Sequence, residues 1–401
     1  MANREEKRNL ETIPVGSLGI ISLPGCKPLG EKVDQYLVKW RAERESEHKE
    51  SLAFAGYQRD SYLLDAKVPR FGSGEAKGQI LESVRGTDLY LLVDVLNYSM
   101  TYSLCGNENH MSPDDHYQDL KRIIAAVGGK ARRITVIMPF LYESRQHKRT
   151  SRESLDCALA LQELVSMGVD NIITFDAHDP RVQNAIPLHG FETVQPAYQF
   201  IKGLLRNVKD LQLDSNHMMV ISPDEGGMGR AIYMANVLGT DMGMFYKRRD
   251  YATIINGTNP IVAHEFLGSD VEGKDMIVID DMISSGESML DTCKELKERK
   301  AEKVIVCCTF GLFTNGLEKF DEYYHQGYLD YVITTNLNYR TQELLNREWY
   351  LEADMSKYLA AVINSLNHDR SISASLSPTE KIQKLVQKHQ NGGYEYFQKL
   401  V

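Results

Sequence analysis

Short apolar runs alternate with amphipathic stretches along most of the 401 residues. Apolar runs of this length bounded by turn residues read as buried strands. The pattern predicts them at 17–23, 89–95, 134–138, 171–175, 218–222, 242–246, 276–279, 304–310 and 331–335. Between them lie helical stripes: Val33, Tyr36, Leu37 and Trp40 share one face, and Met289, Leu290, Cys293 and Leu296 share another. Strand–helix alternation of this kind predicts the α/β class, with mainly parallel sheets flanked by helices. A break near Pro196 divides the strands into two groups of similar size, so two related α/β halves are expected, 17–195 and 196–349. Residues 1–16 read as a loose arm, the charged run 41–51 as a solvated helix end or insert, and 373–401 as an appended tail with a serine-rich linker and a short helix.

Composition narrows the function classes. Fifty-five acidic against 46 basic side chains leave a net charge of −9. Such a surface does not attract nucleic acid or anionic lipid as a whole, although a local basic patch still binds phosphate. The first twenty residues lack an apolar signal core, and the longest weakly polar run, 304–317, is far shorter than the roughly 20 residues of a membrane span. A soluble, cytoplasmic chain is expected, with no nucleic-acid or membrane partner. The six cysteines have no metal-type spacing, and most read as buried thiols.

The stretch MIVIDDMISSGES, 276–288, carries the strongest chemical signal. A buried strand ends in Asp280 and Asp281, turns through Ser284, Ser285 and Gly286, and enters a helix near Ser288. Backbone N–H groups at a helix start form an anion nest, the serines add hydroxyl donors, and glycine allows close approach. Two acids beside a phosphate site make sense if they accept hydrogen bonds from sugar hydroxyls or hold Mg²⁺ through water. A phosphorylated ribose satisfies both halves; a surface turn with an N-capping serine is the plainer alternative. Elsewhere, Arg145, His147, Lys148, Arg149 and Arg152 crowd a loop at a strand's carboxyl end, where a triphosphate needs charge and a merely solvated loop also fits. His178 lies between Asp176 and Asp179, and Asp224 precedes Gly226 and Gly227; each reads as a metal ligand or as a structural residue. Lys247 and Arg249 are two apart after a strand, hence on one face if the strand continues. They suit a transferring diphosphoryl group, or are a surface pair.

Acid–acid–apolar–apolar–x–Ser–Gly–x–Ser resembles the ribose-phosphate signature of type I phosphoribosyltransferase folds. RQHKRTSRES (145–154), TFDAHDPRVQ (174–183), VISPDEGGMGRA (220–231), YKRRD (246–250) and RFGSGE (70–75) resemble, in order, further motifs of the ribose-phosphate pyrophosphokinases. The resemblance runs from about 17 to 372. It implies two phosphoribosyltransferase-like domains, with a helix at about 350–372 returning to the first. It implies diphosphoryl transfer from ATP to ribose 5-phosphate. Lys247 and Arg249 would be catalytic, and Asp280, Asp281, Ser284, Ser285, Gly286 and Ser288 would hold the ribose phosphate. Arg145, Gln146 and Lys148 would hold ATP, with Phe71 and Glu75 serving a neighbouring subunit's ATP. Mg²⁺ at His178 and Asp224 and a homo-oligomer of dimers, up to a hexamer, also follow from it. The chain departs from the pattern at Ser284, where a third aspartate is usual, and at Glu287, Ser73 and Asn184–Ile186. The inserts before residue 71 and at about 98–115 match no motif of the family. A transferase that consumes phosphoribosyl diphosphate and a catalytically weak regulatory homologue remain alternatives.

Overall fold

The computed structural model describes residues 13–43, 56–249, 261–376 and 378–391, with the backbone alone for 247–249, 261–264 and 374. Most of the predicted arm and of the charged run 41–51 lie outside the described residues. The chain divides into two compact units: 1–194 with 337–339 and 355–377, and 195–336 with 340–354 and 378–401.

In the first unit the chain runs β1 (Ser17–Ser22), α1 (Lys27–Glu43), the short pair β2 (Ala66–Lys67) and β3 (Gln79–Ile80), then β4 (Thr87–Leu92). The hairpin β5 (Thr101–Leu104)/β6 (Asn107–His110), α2 (Pro113–Val127), β7 (Arg133–Ile137), α3 (Asp156–Ser166), β8 (Asn171–Phe175) and β9 (Gly190–Val194) complete it. The sheet order is β1-β4-β7-β8-β9, and every pairing is parallel. Leu89 and Leu91, Val136 and Ile172 bury one face beneath Leu120 and Ile124 of α2 and Leu161 and Leu164 of α3. Ser112 and Asp115 form a reciprocal capping box that starts α2, and Gly128, in the left-handed region, ends it.

Helix Ser356–Asn367 belongs to this unit too. Its attachment is polar. Asp88 is fully buried, and its carboxylate accepts from Arg133 Nε and Nη2, each at 2.8 Å, and from Asn367 Nδ2 at 2.8 Å. Arg133 Nη2 also donates to the Leu366 carbonyl at 2.7 Å. Removing one member of so buried a pair costs about 3–5 kcal/mol, so the helix end is fixed against β4 and β7. The returning helix, expected from about 350, begins at Ser356.

The second unit runs α4 (Ala197–Asn207), β10 (Met218–Ser222), α5 (Met228–Leu238), β11 (Asp241–Arg249), β12 (Ile261–Leu267), β13 (Asp275–Ile283) and α6 (Glu287–Glu298). It continues through β14 (Val304–Gly311), α7 (Glu318–His325), β15 (Tyr331–Thr335), α8 (Gln342–Leu345) and β16 (Tyr350–Ala353). The sheet order is β12-β11-β10-β13-β14-β15-β16, parallel except at β12. Strand periodicity is visible in the packing. Met218, Val220, Ile277 and Ile305 face α4 and α5, whereas Met219, Ile221, Val278 and Val306 face α6 and α7. Both faces are covered, which is why these strands read as unbroken apolar runs. After α9 (Ser356–Asn367) and α10 (Ser373–Leu376), α11 (Thr379–Gln390) buries Ile382 and Val386 in this second core. Strand order changes direction between β10 and β13, and ligands of open parallel sheets bind at the carboxyl ends beside such a switch.

Candidate active site

Strand β13 ends in the acid pair. Asp281 is 3% exposed and Asp280 is partly exposed; the Asp281 N–H donates to Asp280 Oδ1 at 2.9 Å. Loss of water, with Asp281 and Asp224 nearby, pushes the Asp280 carboxyl well above the usual carboxylate range. Gly286 turns the chain into α6 with φ +85°, a conformation that disfavours a side chain, and any Cβ there would collide with the Phe320 ring. No side chain caps α6. Its first-turn N–H groups are therefore left for an anion at the turn of Ser284 and Ser285, with Ser288 in the first turn of α6 itself. Ser284 is half-buried and accepts from the Thr314 N–H at 3.0 Å through its carbonyl, and Glu287 turns away to an exposed ion pair with Lys319 at 3.0 Å.

The loop after β10 reaches the same acids. Asp224 Oδ1 accepts from the Gly226 and Gly227 N–H groups at 2.8 and 3.2 Å, and Ser222 Oγ donates to the Asp224 carbonyl at 2.6 Å. Asp224 thus shapes the turn into α5 with one carboxylate oxygen. Arg230, on the first turns of α5, places Nη2 3.6 Å from Asp281 Oδ2 with its side chain nearly buried. Arg230 lies within the motif 220–231, but the sequence alone assigns it no partner, because the carboxylate it approaches is some fifty residues away. Strand β11 includes Lys247, Arg248 and Arg249, but the β11/β12 register shifts between Arg248 and Arg249, which interrupts simple alternation there. The side chains of Lys247 and Arg249 lie outside the described residues.

In the first unit, His178 follows β8 and Asp176, whose φ is +42°. The His147 ring lies 5.3 Å from the His178 ring, and its Nε2 is 3.5 Å from Asp179 Oδ2. Arg181, hydrogen-bonded to Asp179, holds that carboxyl down at about 2. The segment predicted to bear a metal and the basic loop therefore meet at His147. Within that loop Arg145 and Lys148 are exposed, and Gln146 Nε2 donates to the Ser154 carbonyl at 2.7 Å. Phe71 is 51% exposed and Glu75 exposed, with Ser73 Oγ donating to Glu75 Oε2 at 2.9 Å. Five of the six cysteines are buried, as expected of most of them, and Cys105 is exposed on the β5–β6 turn.

Among the described residues no three or more His, Cys, Asp or Glu side chains gather as a metal cage. Mg²⁺ requires no such cage: it keeps several waters and uses one or two carboxylates with substrate phosphates.

The sequence profile of the N-terminal domain of ribose phosphate pyrophosphokinase matches residues 18–168, and that of the phosphoribosyl transferase domain matches 191–340. A ribose-phosphate pyrophosphokinase of Vibrio cholerae is 31% identical over 317 residues, 78% of this chain and 91% of that protein. The chain belongs to the ribose-phosphate pyrophosphokinase family. A pyrophosphokinase of Shewanella oneidensis is likewise 31% identical, over 320 residues and 91% of its length. The fold agrees: phosphoribosylpyrophosphate synthetase from Mycobacterium smegmatis superposes with a TM-score of 0.68 at 22% identity, covering 88% of this chain and 99% of that one. The two-domain α/β pyrophosphokinase fold expected from the sequence is thus the fold of this chain.

Proposed function

We propose that this pyrophosphokinase transfers the β,γ-diphosphoryl group of ATP to O1 of ribose 5-phosphate. O1 attacks the β-phosphorus, the bond from that phosphorus to the α,β-bridging oxygen breaks, and the O1 proton passes to solvent. The products are phosphoribosyl diphosphate and AMP. The observation that carries this reading is the β13–α6 turn, where two adjacent carboxylates end a strand and a helix without a side-chain cap begins six residues later. The N–H groups of Ser284, Ser285, Gly286 and Ser288 bind the 5-phosphate, and Asp280 and Asp281 accept from ribose hydroxyls. Lys247 and Arg249 neutralise charge on the transferring group, because phosphoryl transfer depends on positioning and electrostatics. Arg145, Gln146 and Lys148 hold ATP, and Phe71 and Glu75 reach the ATP of a neighbouring subunit in a homo-oligomer. His178 and Asp224 are each residues that would hold Mg²⁺, which would supply charge neutralisation on the ATP phosphates. A cytoplasmic location belongs to the same proposal; no helix among the described residues is long and apolar enough to cross a membrane.

Ser284 leaves one specificity question. A serine in place of an aspartate removes a charged acceptor from the sugar side, a change of about 1–3 kcal/mol. The test is AMP release from ATP and Mg²⁺ with a panel of pentose and hexose phosphates. Ribose 5-phosphate should give the highest kcat/KM. Higher kcat/KM with another sugar phosphate contradicts the assigned substrate, and turnover of phosphoribosyl diphosphate with a free base supports the transferase class instead.

A further inference from the structure

The β5–β6 hairpin, an insert that matches none of the family's motifs, is built against the loop that carries Phe71 and Glu75. That loop closes on itself through backbone bonds, Phe71 N–H to the Glu75 carbonyl at 2.7 Å and Gly74 N–H to the Phe71 carbonyl at 2.9 Å. With Phe71 and Glu75 both exposed, it buries little that would fix its place.

The hairpin supplies what the loop lacks. Cys105 and Gly106 have φ of +50° and +83°, the consecutive left-handed pair that turns a tight hairpin. This turn presents the Cys105 N–H to the Gly72 carbonyl at 2.8 Å. Leu104 fills the space beside Gly74: a Cβ on Gly74 would come within 2.7 Å of Leu104 Cδ1. The Tyr102 ring carries the Arg70 guanidinium 4.7 Å above its centre. Arg70 is also paired with Asp119 of α2 at 2.8 Å, and Tyr102 Oη donates to Asp115 of the α2 capping box at 3.3 Å. The loop is therefore held by a backbone bond, an apolar contact and a stacked cation, all three leading to one hairpin anchored on α2.

We infer that this hairpin is a positioning element for nucleotide binding, ordering the Phe71–Glu75 loop before ATP arrives; the inference rests on the reading of that loop as an ATP contact. Ordering a contact loop beforehand removes an entropic cost from binding and leaves the chemical step untouched. The signature is a KM effect confined to one substrate.

Tyr102→Ala and Tyr102→Phe are compared in the intact protein, with Phe71→Ala as the direct probe of the loop. Tyr102→Ala should raise the KM for ATP about tenfold, as loss of loop order predicts, with kcat and the KM for ribose 5-phosphate within about twofold of the parent. Tyr102→Phe, which keeps the ring beneath Arg70, should restore the parent ATP KM. Hydrogen exchange of peptide 71–75 should quicken in Tyr102→Ala while that of α2 stays unchanged. An unchanged ATP KM in Tyr102→Ala, with a raised one in Phe71→Ala, overturns the hairpin's role and leaves the loop's. An unchanged ATP KM in Phe71→Ala removes the loop from ATP binding and the inference with it. Equal losses in kcat and both KM values, with faster exchange throughout the unit, mark a fold defect and also overturn it.

Discussion

Gly286 has the least latitude of any residue in the ribose-phosphate turn. Its φ is in the left-handed region, and the Phe320 ring occupies the place of a side chain. Gly286→Ala should cost about 1–3 kcal/mol in strain and overpacking. It should also raise the KM for ribose 5-phosphate more than that for ATP; calorimetry and initial-rate kinetics give both numbers, and equal KM changes would separate Gly286 from the sugar site. Lys247 and Arg249 are assigned to the transferring group, where a donor realised mainly in the transition state is worth about 10²- to 10³-fold in kcat. Lys247→Ala and Arg249→Ala should each lose that factor with modest KM changes. Arg248→Ala should be nearly silent. Because the register shifts at Arg248/Arg249, the comparison of all three also reports which side chains face the substrate. Parent turnover in both variants would reduce the pair to surface charges.

At the scale of elements, the sequence was most legible where strands are covered on both faces. Runs such as Met218–Ser222 and Asn171–Phe175 were found with their ends, because burial on two sides makes most positions apolar. Seven strands escaped: the short pairs Ala66–Lys67 with Gln79–Ile80 and Thr101–Leu104 with Asn107–His110, and three at an edge of a main sheet, Gly190–Val194, Ile261–Leu267 and Tyr350–Ala353. Edge positions mix polar and apolar residues, as in GFETV and YLEA, and the pattern fades. The candidate site could be read in the order of its loops, since a turn between strand and helix writes its serines and glycine contiguously. Arg230 and Phe320 were not, because their roles arise from packing between elements distant in sequence. A similar packing contact makes α2 sensitive to pH. His116 is buried, its Nε2 donates to the Asn97 carbonyl at 2.9 Å, and burial holds its pKa below the ordinary value despite nearby Asp119 and Asp115, with Arg70 adding to the depression. The unfolded chain then binds a proton that the folded chain resists. This contribution is present above pH ~6.5 and is lost as pH falls through the depressed folded value. Urea unfolding between pH 7.5 and 5 should show a stability loss that His116→Gln flattens; parallel curves would remove His116 from the pH response.

For the whole molecule, the two units bear different candidate groups: the first the basic loop and His178, the second the acid pair and helix start. If Phe71 and Glu75 complete a neighbour's ATP site, Glu75→Ala chains and Lys247→Ala chains should complement in mixed oligomers. Part of the activity absent from either alone should return. No recovery in oligomers demonstrably containing both chains would contradict a shared site. Two relatives at 31% identity over most of the chain fix the family; what the chain does with its own Ser284 is decided by its products. The most direct measurement follows ATP labelled at the β-phosphorus, incubated with Mg²⁺ and ribose 5-phosphate, and identifies the nucleotide and sugar formed. Diphosphoryl transfer predicts AMP without label, in equal amount to phosphoribosyl diphosphate that carries it; labelled ADP in place of AMP would contradict the account.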